Sequence, residues 1–360
     1  MIEYTTLGNL IAPAKVIRCG KGAFPVLSMT MHDGIVLQSE RFKKSLASID
    51  QSDYKVVKRG QLVVGFPIDE GVLYVQKAAD EGIMSPAYNV WDIDTEKIDA
   101  DFLELCLHSP QSMQYYKDKL RGTTARRRSI PTADLLTLKI RLPDMQTQRE
   151  AVAIMRKAEA VIAARQEQLN SFEQLVKSRF IELFGEPLSN TKGWQTMLLV
   201  DAAPIKSRRG DLADEIWLLN LDAVEAQTGT VLFKHRVQSE EINASTVYFT
   251  TENVLYSKLR PYLNKVVMPD EDGVATSEMI PMYPLADRLN RAYLCYWLRS
   301  DAFVKHISEK VSGAKMPRVS MDYFRSLSIE LPPLGLQEQF AAFVEQTDKS
   351  KLCGKMEVAA

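Results

Sequence analysis

Four groups of lysine and arginine residues lie near glycine or proline in this sequence, where loops could present them to an anionic partner. The groups are Arg121, Arg126, Arg127 and Arg128; Lys206, Arg208 and Arg209; Lys258, Arg260 and Lys265; and Lys315 and Arg318. Arginine can bind guanine or phosphate through two hydrogen bonds, and glycine lets backbone amides approach a duplex. A solvated surface is the competing interpretation of any single group. The groups predict DNA contacts, without separating contacts to bases from contacts to phosphates.

Signals for catalysis in this chain are poor. The run Ser85-Pro86-Ala87-Tyr88 resembles the Ser/Asn/Asp-Pro-Pro-aromatic motif of amino-methyltransferases, but it lacks the second proline. No glycine-rich strand–turn–helix follows that could hold a methyl donor, so a turn is the favoured interpretation. The four histidines are scattered without the spacing of metal ligands. We therefore expect no catalytic residue, no metal and no cofactor in this chain.

The elements that position the basic groups occur twice along the chain. The run Ile140-Arg141-Leu142-Pro143 with Gln148 returns, 189 residues later, as Ile329-Glu330-Leu331-Pro332 with Gln337. Upstream, a spacing of 191 residues relates Leu103, Leu107, Ser109, Lys119 and Gly122 to Leu294, Leu298, Ser300, Lys310 and Gly313. Ordered matches over some forty residues indicate a duplication. The first and last basic groups then occupy equivalent loops, which strengthens their interpretation as DNA contacts.

Each copy has the same order of predicted elements. Short β-like runs bounded by glycine, proline and aspartate come first, and a helix-like stretch follows at 101–120 and again at 291–311. A glycine-containing basic loop, a short strand ending in Leu-Pro and a further helix complete the copy. This order predicts an α+β fold with two pseudo-repeated domains.

The helix that ends the first copy is the clearest element in the sequence. Between Pro143 and Gly185 there is neither proline nor glycine, and forty helical residues would make a rod of about 60 Å. An apolar stripe along the rod predicts a partner helix. The matching helix ends the second copy, with about one third of the length of the first before Gly354. The predicted pairing residues are Met155, Ile162, Leu169, Phe172, Val176 and Phe180 in the first helix and Phe340 and Phe343 in the second.

Composition limits the class of protein. The 360 residues contain 45 Lys and Arg against 46 Asp and Glu, which gives a net charge of −1 and excludes a strongly basic, freestanding nucleic-acid binder. Four dispersed cysteines without a Cys-x-x-Cys pair suit a reduced compartment. No signal peptide and no apolar run of about 18 residues is recognised. We expect a soluble, cytoplasmic protein without a membrane partner.

Several phrases together resemble the specificity subunit of type I restriction–modification systems. They are the run 331–339 (LPPLGLQEQ), the run 257–266 (SKLRPYLNKV), the run 184–187 (FGEP) with Gly193-Trp194, and the run 122–130 (GTTARRRSI). The resemblance covers nearly the whole chain. It implies two target-recognition domains at 1–143 and 185–333, a spacer helix at 144–184, and a second, shortened spacer helix and tail at 334–360.

The resemblance also implies function and partners. Each target-recognition domain would read one half of a split double-stranded DNA site. The long helices would pack as an antiparallel coiled-coil spacer and set the gap between the halves. Two methyltransferase subunits, which would bind S-adenosylmethionine, and a nuclease–translocase restriction subunit would complete the assembly. Two alternatives remain open at this point: a DNA methyltransferase in its own right that uses 85–88, and an assembly scaffold that holds partners without reading DNA.

Overall fold

A computed structural model describes residues 3–41, 50–120, 128–207, 214–242, 245–313 and 315–359, with side chains up to Lys351. The chain divides into two compact units, Met1–Ala163 and Ala164–Ala360. The division falls inside one long helix, so the first part of this helix belongs to unit 1 and the second part to unit 2. Both units combine short strands with helices, which confirms the predicted α+β class.

Unit 1 is built mainly from three- to five-residue strands. The strands are β1 (Tyr4–Thr6), β2 (Ile11–Pro13), β3 (Leu27–Met29), β4 (Ile35–Leu37), β5 (Lys55–Lys58), β6 (Leu62–Val64), β7 (Leu73–Val75), β8 (Glu81–Met84), β9 (Asn89–Ile93) and β10 (Lys139–Arg141). The helices are α1 (Gln38–Arg41), α2 (Ala100–Leu107), α3 (Pro110–Lys119), α4 (Thr132–Leu136) and the first part of α5 (Met145–Phe184).

An antiparallel sheet in the order β2-β9-β6-β7 forms one side of the main core of unit 1. Leu62, Leu73 and Trp91 from this sheet are buried against Leu103 of α2 and Tyr116 of α3. Two further antiparallel pairs, β3-β4 and β5-β8, enclose a second apolar cluster. The first and last strands, β1 and β10, pair with each other and close the unit.

Unit 2 is also built from short strands and helices. The strands are β11 (Gln195–Leu198), β12 (Glu215–Leu219), β13 (His235–Gln238), β14 (Val247–Phe249), β15 (Val254–Ser257), β16 (Val266–Val267), β17 (Gly273–Ala275), β18 (Met279–Met282), β19 (Val311–Ser312), β20 (Arg318–Val319) and β21 (Ser328–Leu331). The helices are α6 (Leu199–Ala202), α7 (Arg291–Arg299), α8 (Asp301–Ser308), α9 (Met321–Arg325), α10 (Leu334–Ala359) and the second part of α5.

The sheets of unit 2 run in the orders β13-β12-β17-β14 and β16-β15-β18, and β12 lies parallel to β17 while the other pairs are antiparallel. β11 pairs with β21 and closes this unit as β1 and β10 close unit 1. Phe180, Phe184, Tyr293 and Phe340 form an aromatic cluster where α5, α7 and α10 meet, with ring centroids 4.7–5.6 Å apart. This cluster holds both long helices onto the globular part of unit 2.

The helix-like stretches at 101–120 and 291–311 each contain two helices instead of one. A serine begins the second helix in both copies, because its side chain accepts a hydrogen bond from a backbone amide of the first turn: Ser109 for α3 and Ser300 for α8. The repeated serine is therefore an N-cap, a role that apolar periodicity could not reveal.

The repeated glutamines explain the Leu-Pro-x-x-x-x-Gln motif. Both are fully buried in the first turns of α5 and α10. Gln148 Oε1 accepts a hydrogen bond from Asp99 N at 2.8 Å, and Gln337 Oε1 accepts one from Asn290 N at 2.8 Å. Asp99 and Asn290 are themselves the N-caps of α2 and α7. In each unit the motif thus fixes the start of the long helix against the start of a core helix.

The long helices agree with the prediction in position and differ in detail. α5 spans Met145–Phe184, against 144–184 predicted, and α10 is shorter than α5 as expected. The predicted end of the second helix before Gly354 is wrong, because α10 continues to Ala359. An interior glycine costs a helix only about 1 kcal/mol and is not a stop signal in itself.

α5 and α10 pack against each other in antiparallel directions. Phe180 contacts Phe340, while Arg165, earlier in α5, donates through Nη2 to the carbonyl oxygen of Lys351, later in α10, at 3.5 Å. Val176, Phe180 and Phe340 are buried, and Leu169, Phe172 and Phe343 are half-buried. Met155 and Ile162 lie before Arg165 along α5 and are 44% and 61% exposed. Their predicted role in binding a helix or partner therefore stays a prediction.

Candidate nucleic-acid interface

Two loops of unit 2 bring the third and fourth basic groups together. The loop that follows β15 pairs with the segment around β20: Arg260 N donates to Pro317 O at 2.8 Å, and Val319 N donates to Lys258 O at 3.0 Å. An isolated β-bridge joins Leu259 to Arg318 at the same place. Residues more than fifty positions apart in sequence therefore share one surface, which we call the unit 2 loop pair (residues 258–262 and 315–318).

Exposed side chains of three kinds cover the unit 2 loop pair. Arg260 and Lys315 supply positive charge, while Tyr262 and Met316 are 47% and 49% exposed. Arg260 adopts a left-handed backbone conformation with φ of 49°. Its amide hydrogen bond to Pro317 and its carbonyl, which accepts from Leu263 N at 2.9 Å, hold this conformation in place. Cations beside an exposed ring suit a backbone phosphate with a neighbouring base.

Arg318 does not project freely from this surface, because Glu278 binds it along one edge. Arg318 Nε lies 3.1 and 3.2 Å from the two carboxylate oxygens of Glu278, and Nη2 lies 3.0 Å from Oε1. Glu278 is in turn fixed by the hydrogen bond from Lys258 N to its carbonyl oxygen at 3.0 Å. The charge of Arg318 is therefore partly balanced within the loop pair.

Lys206 and Lys265 differ in their surroundings. The Lys206 side chain is exposed, with Nζ 5.7 Å from the centroid of the Tyr283 ring, and its amide donates to Pro281 O of β18. Lys265 Nζ instead donates to Leu221 O at 2.6 Å. This bond gives Lys265 a role inside the protein, and its contact with DNA stays a prediction. Arg208 and Arg209 lie outside the described residues.

Unit 1 has an equivalent loop pair (residues 65–71 and 128–130). Ile68 N donates to Arg128 O at 3.1 Å, which joins the loop after β6 to the segment before α4. Arg128 Nε lies 3.0 Å from Asp69 Oδ1, and its Nη2 forms an ion pair with Glu70 Oε1. The corresponding acceptor in unit 2 is Pro317 O, so Arg128 occupies the position next to that of Arg318 in the repeated segment. The other arginines predicted for this loop, Arg121, Arg126 and Arg127, lie outside the described residues.

The acidic partners of both arginines were missed by sequence reasoning. Asp69 and Glu70 precede Arg128 by 58–59 residues, and Glu278 precedes Arg318 by 40 residues. No local spacing connects them, since the fold alone brings them together. The duplication relates the two loops, but the carboxylates come from different elements in the two units: a 3-10 helix (Ile68–Glu70) in unit 1 and the turn before β18 in unit 2.

The run 85–88, considered above as a catalytic motif, forms the turn between β8 and β9. Tyr88 N donates to Ser85 O at 3.2 Å, which closes the turn, and burial raises the pKa of Tyr88. Among the residues that the structure describes, no cluster of three or more His, Cys, Asp or Glu side chains could bind a metal ion. No helix within the described ranges is long and apolar enough to cross a membrane.

Comparison with known proteins gives matches to one class. Residues 192–354 match the family model of the type I restriction modification DNA specificity domain. The type I restriction enzyme EcoDI specificity subunit of Escherichia coli is 25% identical over 155 residues, which cover 42% of this chain and 34% of that protein. The match thus spans about a third of the curated relative.

Solved structures extend the likeness in fold to the whole chain. A chain from a structure on complex assembly and conformational transition of the type I R-M system matches with a TM-score of 0.57 at 17% identity, covering 99% of this chain and 92% of that one. The type I restriction-modification S subunit from M. genitalium gives 0.51 at 14% identity, with 99% and 92% covered.

The molecule is thus an α+β protein with the type I specificity fold. Its residues 192–354 are similar to the DNA specificity domain of type I restriction–modification systems.

Proposed function

We propose that this chain is the DNA sequence-recognition subunit of a type I restriction–modification complex. Each unit would read one half of a bipartite duplex target through its loop pair, and the chain would perform no chemistry itself. Methylation would belong to two methyltransferase subunits that bind S-adenosylmethionine, and cleavage to a restriction subunit. The sequence match of residues 192–354 to the DNA specificity domain supports this proposal independently of the structure.

The observation that carries the proposal is the repetition of the loop pair. In both units a backbone hydrogen bond joins the loop after a core strand to a segment bearing an arginine: Ile68 N donates to Arg128 O, and Arg260 N donates to Pro317 O, which precedes Arg318. The loops around these arginines differ: unit 2 has Lys258 and Arg260 where unit 1 has Phe66 and Ile68. Two loop pairs with the same backbone pairing and different side chains suit a target whose two halves have different sequences.

The long helix supports a fixed gap in the target. α5 is uninterrupted from Met145 to Phe184 and belongs in part to each unit. We propose that its length sets the number of unread base pairs between the two half-sites. An insertion of four residues, about one turn, after Gln148 should change the tolerated gap. An unchanged gap would contradict this part of the proposal.

The test of the main proposal is to express the full chain with its methyltransferase subunits and to map the methylated bases and the protected positions on DNA. Two protected patches separated by an unread gap are expected, with methylation at these sites. Arg318→Ala should relax preference in one half-site, while Arg325→Ala, an exposed arginine on α9, should leave the preference unchanged.

Three outcomes would overturn the proposal. Assembly with partners without specific protection would indicate a scaffold. Binding of S-adenosylmethionine by the chain without partners would indicate a methyltransferase. Equal effects of the two arginine substitutions would show that the unit 2 loop pair does not read the target.

A further inference from the structure

The arginines of the two loop pairs present the same edge of the guanidinium group to carboxylates. Arg318 uses Nε and Nη2 for Glu278, and Arg128 uses Nε for Asp69 and Nη2 for Glu70. Within the described residues the structure gives no hydrogen-bond partner to Nη1 of either arginine. Both side chains also remain accessible, with exposed fractions of 30% for Arg128 and 46% for Arg318.

This arrangement leaves one pair of donors available in each unit. A guanidinium group has five N–H bonds in a rigid plane, and occupation of the Nε–Nη2 edge leaves the Nη1–Nη2 edge. The two donors on that edge match the O6 and N7 acceptors that guanine presents in the major groove. A side chain already held in one plane loses less rotamer freedom when it binds than a free arginine would.

The carboxylates argue for contact with a base instead of a phosphate. A negative charge beside an arginine weakens its attraction to the DNA backbone, which is the sequence-independent part of binding. A loop that contacts phosphate through this arginine would gain nothing from the acid. For recognition of guanine the acid is useful, because it fixes the plane of the guanidinium group and so orients the N–H donors towards the base.

We propose that Glu278 in unit 2, and Asp69 with Glu70 in unit 1, are specificity-determining positioning residues. They hold Arg318 and Arg128 so that each arginine selects a G·C pair in one half of the target. This inference rests on the proposed function, and it adds the base that each unit reads at one position. The acids act through the arginines and do not themselves touch the DNA.

The test uses the full chain in complex with its methyltransferase subunits and a library of randomised duplexes, from which bound sequences are selected and counted. Glu278→Gln should lower the preference for G·C at one position of one half-site by about tenfold, within the roughly 5- to 150-fold that a bidentate contact contributes. The other half-site should be unchanged. Asp69→Asn should produce the reciprocal pattern. Arg318→Lys, which keeps the charge and removes the planar fork, should lose the same preference as Glu278→Gln.

Glu271→Gln is the matched control, because Glu271 forms a comparable two-bond ion pair with Arg236 away from the loop pair. Melting temperatures of all variants check that the fold is retained. The inference is overturned if Glu278→Gln selects the same sequences as the parent chain. It is also overturned if that variant binds all duplexes more tightly with a steeper salt dependence, which would make the acid a charge neutraliser. If the parent chain selects no bipartite sequence, the proposed function fails instead.

Discussion

Replacement of Gln337 tests how the start of α10 is fixed to the globular part of unit 2. The side chain is fully buried and makes three hydrogen bonds: it accepts from Asn290 N at 2.8 Å and donates to Arg288 O at 3.0 Å and Pro332 O at 2.8 Å. Gln337→Ala leaves all three backbone groups without this partner. At about 1 kcal/mol for each hydrogen bond lost in a buried place, the free energy of unfolding of unit 2 should fall by about 3 kcal/mol.

Hydrogen exchange followed by mass spectrometry is the appropriate assay, since it separates the two units. Peptides that contain the start of α7 should lose protection by about a hundredfold, the equivalent of about 3 kcal/mol. Peptides from β2, β6 and β9 of unit 1 should not change. Gln337→Met keeps the volume and removes the amide, so it should show the same loss if hydrogen bonds, not packing, are responsible.

Gln339→Ala provides the control, because this glutamine is exposed on the same turn of α10. It should change the free energy of unfolding by no more than about 0.5 kcal/mol. If Gln337→Ala behaves like Gln339→Ala, the buried hydrogen bonds do not stabilise the start of the helix, and the explanation given for the repeated motif is refuted.

Three further predictions concern packing, DNA and pH. Phe180→Ala should lower the free energy of unfolding by about 3–5 kcal/mol in a denaturant titration, and a value near that of the exposed Ile162→Ala would contradict the packing described. Lys315→Ala should weaken binding to all duplexes alike and reduce the slope of log affinity against log salt by about one, whereas an unchanged slope would exclude a phosphate contact. Hydrogen bonds from Arg236 lower the pKa of Glu271 from 4.5 to about 2, so the stabilisation is complete above about pH 4.5 and is lost as the pH falls towards 2. Melting temperatures of Glu271→Gln should therefore fall less steeply than those of the parent chain over this range, and parallel curves would refute the effect.

The sequence predicted the fold best where local rules decide it. α5 could be placed almost to the residue because Pro143 and Gly185 flank a run without helix breakers, and Gly185 has the positive φ of 82° that ends helices. Short strands were harder, since strands of three residues such as β1 and β6 carry too little alternation to be assigned. The closing strand pairs β1-β10 and β11-β21 join residues 130 or more positions apart, which local patterns do not encode.

The candidate site was predicted in part. Duplication indicated that Arg128 and Arg318 lie on equivalent loops, and the structure places Arg128 half-buried and Arg318 exposed, each on a loop pair. The sequence could not show that Lys265 would be held by the carbonyl of Leu221, or that Glu278 would face Arg318, because these partners are far apart along the chain. Basic residues are easily counted, while their neutralisation depends on tertiary contacts.

The strand pair that closes each unit has a consequence for the inheritance of the two loop pairs. Tyr4 lies opposite Arg141, and Gln195 lies opposite Leu331, so the two ends of each globular segment emerge side by side. A recombination event with both crossovers beside this pair would replace the whole segment as a cassette. The start of the following helix and its glutamine would keep their register. Under the proposed function, half of a target would then change in one genetic step while the other half and the helical framework are retained.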